Sequence, residues 1–154
     1  MEIKFKKGDF GDQRIISLLA THLHHARAET APGSAHVLDL TGLQDESVNF
    51  WSAWLNDELV GLGAMKRLSD EHYEVKSMHT VGKHRGKGIG TAILEYIEKS
   101  AISCGVRRLS LETGSWDYFR PAVALYTRNG FILCGPFGDY VEDPNSIFMT
   151  KELD

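Results

Sequence analysis

From Glu2 to Lys6 the chain alternates, with Ile3 and Phe5 on one face and Glu2, Lys4 and Lys6 on the other, which predicts a half-buried strand. Beyond Gly8 and Gly11 the period lengthens. Ile15, Leu18, Leu19, Leu23 and Ala26 recur at helical spacing behind Asp12, a good N-cap residue, and this helix is expected to end before Pro32 and Gly33. A short helical piece is expected over Leu38 to Leu43. Asn49 to Leu55, the turn formers Asn56, Asp57 and Glu58, and then Leu59 to Met65 read as a hairpin. A second turn at Ser69, Asp70 and Glu71 leads into a strand over Tyr73 to Val81.

The pattern then returns to helical spacing. Ile89, Ile93, Tyr96, Ile97, Ala101 and Cys104 form one stripe, and Gly105 stands where a left-handed C-terminal cap is favoured. Val106 to Thr113 alternates, with Leu109, Leu111 and Thr113 opposite Arg108, Ser110 and Glu112. Pro121 suits the first turn of a helix carrying Ala122, Leu125 and Tyr126 and ending at Gly130. Phe131 to Cys134 and Ile147 to Thr150 are the last strands. The predicted order is strand, helix, three antiparallel strands, helix, strand, helix and two strands, an α/β arrangement with helices against a mixed sheet. No repeat or linker divides it, so residues 1–154 read as one domain.

The length of 154 residues fits one domain of roughly 150, and 42% hydrophobic residues supply a core. Seventeen Lys and Arg against 21 Asp and Glu give a net charge of −4, which lacks the basic footprint of a nucleic-acid binder. Cys104 and Cys134 have no CxxC spacing and are expected to be buried, reduced thiols. The N-terminal Met1 to Lys7 has no apolar signal region, and no run approaches the ~18 apolar residues of a membrane span, so a cytoplasmic location off the membrane is expected.

The stretch richest in chemistry is Val81 to Thr91, VGKHRGKGIGT, where a strand gives way through a glycine-dense loop to a helix. Such a junction presents unpaired backbone N–H groups and the positive end of a helix dipole, a site for phosphate or another anion. Lys83, Arg85 and Lys87 add charge. A P-loop does not fit, because Gly82 and Gly86 are too close and Lys87 is followed by Gly88. A dinucleotide fingerprint starting at Gly86 fails at Thr91, with no acidic residue suitably placed ~20 positions on. A nucleotide-binding regulator is disfavoured by both failures. The spacing that matches is (Arg or Gln)xxGx(Gly or Ala), at Arg85 to Gly90.

With a second signature, AxxLYxxxGF at Ala122, Leu125, Tyr126, Gly130 and Phe131, the chain resembles the GCN5-related N-acetyltransferase (GNAT) superfamily over nearly its whole length. Within it the chain is similar to small bacterial YsnE-like proteins through EVKSM, RGKGIG, RLSLETGS, CGPFGDY and NSIFMTKEL. The resemblance implies a mixed, largely antiparallel sheet of about seven strands flanked by about four helices. It also implies that Arg85, Gly86, Lys87, Gly88, Ile89 and Gly90 hold the coenzyme A pyrophosphate, with a further hydroxyl from Thr91. The strand Met78, His79, Thr80 and Val81 would pair with the pantetheine arm and supply an oxyanion-stabilising N–H. Tyr126 would protonate the departing thiolate. Glu74 matches the general base of histone-acetylating relatives, since an amine with pKa ~10.4 must lose a proton before it attacks. The other reading of Glu74 is a strand-end carboxylate or a structural partner for Lys76, and Glu112 is the rival base. Many relatives carry an asparagine on the pantetheine where this chain has Phe119.

His22, His24 and His25 crowd the first helix without HExxH or Cys/His spacing, so no metal is expected. His36, His79, Phe50, Trp51, Trp54, Trp116 and Phe119 are candidates for an acceptor pocket, although most are expected in the core. Phe137, Asp139 and Tyr140 are candidates for its far side. The expected activity is direct acetyl transfer from acetyl-CoA to the amine of a small molecule in a ternary complex. Its alternative is a non-catalytic acyl-CoA-binding module. Homodimers are common among such relatives, and nothing in this chain shows one.

Overall fold

Residues 2–154 are described by a computed structural model, in which the N-terminal alternation becomes β1 (Ile3–Lys7). Asp12 caps α1 (Gln13–Ala28) by accepting from the Arg14 amide, and Asp39 caps the short α2 (Leu40–Leu43). The predicted hairpin is β2 (Val48–Leu55) and β3 (Glu58–Arg67), turning at Asn56, which takes a positive φ of 56°. Next come β4 (His72–Thr80) and a 3₁₀ turn, Gly82–His84. They are followed by α3 (Ile89–Ser103), which ends before Gly105 with φ +82°, as its sequence position predicts. The chain closes with β5 (Arg108–Gly114), α4 (Arg120–Arg128), β6 (Ile132–Cys134) and β7 (Ser146–Glu152).

The seven strands form one sheet in the order β1-β2-β3-β4-β5-β7-β6. Every neighbouring pair is antiparallel except β4 and β5. This is the mixed, largely antiparallel sheet expected of the sequence. On one face Ile89, Ile93, Leu94 and Ile97 of α3 pack with Val60, Met65, Val75, Leu109 and Leu111. The approach is close: a Cβ at Gly61 or Gly63 would lie 2.7 or 2.6 Å from Ile93. Only glycine lets α3 sit this near β3. On the other face Ile15, Leu19 and Leu43 pack with Phe50, Trp54, Leu59 and Leu62. Burying side chains of this size stabilises by about 1.5–3 kcal/mol each before ordering costs are counted.

The cysteines differ from expectation. Cys104 is exposed at the end of α3 and Cys134 half-buried on the edge strand β6, because each falls where its element runs out of neighbours. Among the described residues no helix is long and apolar enough to cross a membrane.

Candidate active site

The one parallel junction of the sheet creates the site. β4 and β5 pair only through His72–Arg108, Tyr73–Leu109 and Glu74–Ser110, and then the strands part. The gap opens into a cavity of about 620 Å³. On the β4 side, Leu62 faces His79 and Ala64 faces Lys76, so Ser77 and Met78 together oppose Gly63. Ser77 takes φ +55° at this bulge, which redirects the backbone as it enters the cavity.

Met78, His79, Thr80, Arg85, Gly86, Gly88, Ile89, Gly90 and Thr91 line this end, whereas Val81 and Lys87 do not. The Val81 amide instead donates to the Val60 carbonyl. Gly86 and Gly88 adopt φ of +79° and +82°, and a Cβ at either would meet nothing within 4 Å. These two glycines therefore provide backbone conformation and access rather than packing. Gly88 is the N-cap of α3 and offers no side-chain hydrogen bond, so the first amides of the helix remain to face an anion. With Arg85 beside them, the loop suits a pyrophosphate. Behind it, Glu58 at the start of β3 accepts from Lys83 Nζ at 2.7 Å and is 2.8 Å from His84 Nε2. Those bonds, His84 first, hold the Glu58 carboxyl down to about 2.

At the other end, α1, residues 30–37, β5, the 3₁₀ turn Asp117–Phe119 and α4 bring His22, Thr30, Ser34, His36, Glu112, Phe119 and Tyr126 to the cavity. The Phe119 ring lies so close to Gly114 that a Cβ there would be 2.2 Å from it. Burial pushes the Glu112 carboxyl above the usual range. Burial, and then the charge of Glu112, raises the Tyr126 phenol to about 12, so its hydroxyl keeps its proton at neutral pH. Glu112 and Tyr126 thus share the cavity as a carboxyl group and a hydrogen-bond donor.

Glu74 is placed differently. It is 4% exposed and is not part of the cavity lining. Its Oε2 accepts from the Tyr140 hydroxyl at 2.5 Å and from Lys76 Nζ at 3.4 Å. Burial, followed by the Glu74 charge, drives the Tyr140 phenol far above its ordinary pKa. Among the histidines, His22 Nδ1 and His79 Nδ1 stand 3.1 Å apart. One must donate and the other accept, so at least the accepting ring is neutral when the bond forms. Burial lowers each to about 4.

The sequence candidates therefore divide. Glu112, Tyr126, His36, His79 and Phe119 meet at the cavity; Phe50 and Trp54 are core, and Trp116 is 42% exposed. His22 reaches the cavity from the histidine cluster of α1, and Glu58 supports the loop from outside the cavity lining. His22 had a signal in the helical face it shares with Leu19 and Ala26, whereas nothing local links Glu58 to His84.

The profile of the acetyltransferase (GNAT) family matches residues 17–131. The chain is 47% identical to the N-acetyltransferase YsnE of Bacillus subtilis (strain 168) over 96% of this chain and 98% of that protein. A solved structure from Klebsiella pneumoniae, described as an acyl-CoA N-acyltransferase, superposes with TM-score 0.82 and 30% identity, covering 99% of this chain and 98% of the other. An Elizabethkingia anophelis GNAT structure with acetyl-CoA bound shares the fold at TM-score 0.72 and 20% identity, each chain covered to 98%.

Proposed function

We propose, for a chain that belongs to the acetyltransferase (GNAT) family and is an N-acetyltransferase, that it moves acetyl from acetyl-CoA directly to the amine of a small molecule, both substrates being bound at once. The observation that carries this reading is the continuous cavity from the open glycine loop to Glu112 and Tyr126. The coenzyme pyrophosphate sits on the amides at Arg85 to Gly90, and the pantetheine arm runs along Met78 to Thr80, where β4 has parted from β5. Phe119 supplies an apolar wall rather than an amide contact.

In the transfer, the free amine attacks the thioester carbonyl and a C–N bond forms as the C–S bond breaks. Backbone N–H groups near the β4 bulge stabilise the developing oxyanion, an effect worth about 2.7–4 kcal/mol per donor in other enzymes. The Tyr126 hydroxyl gives its proton to the departing thiolate. Of the two carboxylates considered from the sequence, we assign the base to Glu112 rather than Glu74, because Glu112 lines the cavity while Glu74 is held by Tyr140 and Lys76. Glu112 takes the amine proton, and solvent restores both groups.

Calorimetry with acetyl-CoA, and with coenzyme A, ATP and NAD as comparisons, tests the coenzyme end on the wild type and on an Arg85→Ala, Gly88→Asp double variant. Selective binding lost in the variant is expected. No binding by the wild type would overturn the reading. Release of free thiol over a panel of small amines then tests the acceptor class.

A further inference from the structure

We infer that Glu74, Lys76 and Tyr140 form a buried lock that positions the acceptor wall, and that Glu74 acts on the amine only through that wall. The inference rests on the acetyl-transfer reading for its kinetic consequences, but not for its geometry. Lys76 Nζ donates to the His36 carbonyl at 2.7 Å, approaches the Tyr140 hydroxyl at 3.1 Å and Glu74 Oε2 at 3.4 Å. An ammonium has three hydrogens and here has three acceptors, so none is left for a ligand. The Tyr140 hydroxyl in turn gives its single proton to Glu74 at 2.5 Å. The network is closed on itself.

The lock ties two irregular segments of chain to β4. Residues 34–36 and 140–145 lie outside helices and strands, whereas Glu74 and Lys76 belong to β4. Tyr140 stacks edge-on to His36 with centroids 5.0 Å apart and packs on Phe148 at 5.5 Å. A second tie lies beside it: Ser34 Oγ donates to Asp143 at 2.7 Å, and the Asn145 amide to the other oxygen of Asp143 at 2.8 Å. Ser34, His36 and Lys76 all line the cavity. The position of that wall is therefore set by a carboxylate that does not itself reach the cavity. Lys76 and Glu74 are each less than a tenth exposed as side chains, so removing one leaves the other's charge buried without its partner.

The test pairs Glu74→Gln with Tyr140→Phe, the second keeping the ring and every charge. Amide hydrogen exchange is followed at residues 33–39 and 135–145, with α3 as the internal reference. Initial rates are measured with acetyl-CoA and each of spermidine, tyramine, kanamycin and lysine. Both variants are expected to speed exchange in the two segments together and leave α3 unchanged. Both are expected to raise KM for the best amine about tenfold to a hundredfold through misplacement, with the acetyl-CoA KM and the pH dependence of kcat kept. Wild-type exchange in Tyr140→Phe would overturn the lock. So would a Glu74→Gln enzyme whose kcat falls and recovers at high pH while Tyr140→Phe stays normal, since Glu74 would then be the base. If the wild type acetylates none of the four amines, these acceptors are wrong, and exchange alone decides on the lock.

Discussion

The two ends of the cavity are built in opposite ways. The end proposed for the coenzyme is made by Met78 to Thr80 and one short run, Arg85 to Thr91, in which Gly86 and Gly88 leave open space. The acceptor end is made by side chains from α1, residues 30–37, β4, β5 and α4, tied from behind by the segment before β7 through bonds such as Tyr140 to Glu74, 66 residues apart, and Ser34 to Asp143, 109 apart. In the proposed function the first holds a fixed chemical group with backbone amides, which a side-chain substitution does not remove. The second can change its shape with single substitutions on several elements. One scaffold can thus keep its donor and vary its acceptor.

Perturbing each end should move a different kinetic constant. The largest effect is expected at the junction of the two: Tyr126→Phe should lower kcat about 10²- to 10⁴-fold, with acetyl-CoA affinity by calorimetry within about twofold of wild type. An unchanged kcat would remove Tyr126 from the chemistry. Glu112→Gln should lower kcat about a hundredfold, with recovery as pH rises and free amine forms unaided. The pH dependence has a definite sign. Burial raises the Glu112 carboxyl, so the wild-type rate should fall, on acidification, at a pH above the ordinary carboxylate range, and Glu112→Gln should lose that limb. At the coenzyme end, Gly88→Val places a branched side chain at φ +82° and should raise the acetyl-CoA KM about tenfold to a hundredfold while sparing the amine KM. A rise in both constants would mean that the two ends are not separable.

The same contrast explains what could be read from the sequence. The glycine loop was legible because its residues are contiguous and their spacing is dictated by one ligand group. The caps at Asp12 and Gly105, the stripe of α3 and the hairpin at Asn56 were legible for the same local reason. The insertion of β7 between β5 and β6 leaves no local trace, since strand order depends on packing across the whole sheet. Glu74 shows the limit most clearly. Its place on the strand before the loop suggests a base, and its neighbour Lys76 is an obvious structural partner, yet Tyr140, which occupies the same oxygen, comes from the far end of the chain.

Glu58 provides the finest comparison, because it supports the coenzyme end through side chains rather than amides. It grips Lys83 and His84 in the turn just before Arg85, yet it is itself half-exposed, so its contribution is that of a surface charge pair reinforced by one buried imidazole. Glu58→Gln should weaken acetyl-CoA binding only about two- to fivefold, the range of such pairs, with the amine KM unchanged. Its stability signature has a fixed direction. The carboxyl is held down to about 2 in the fold against an ordinary ~4.3. The stabilisation is therefore fully present above the ordinary value and lost as pH falls through the lower one. Thermal unfolding of wild type and Glu58→Gln should accordingly differ most at neutral pH and converge as pH drops toward 2. A gap that stays constant down to that pH would assign the difference to lost hydrogen bonds rather than charge.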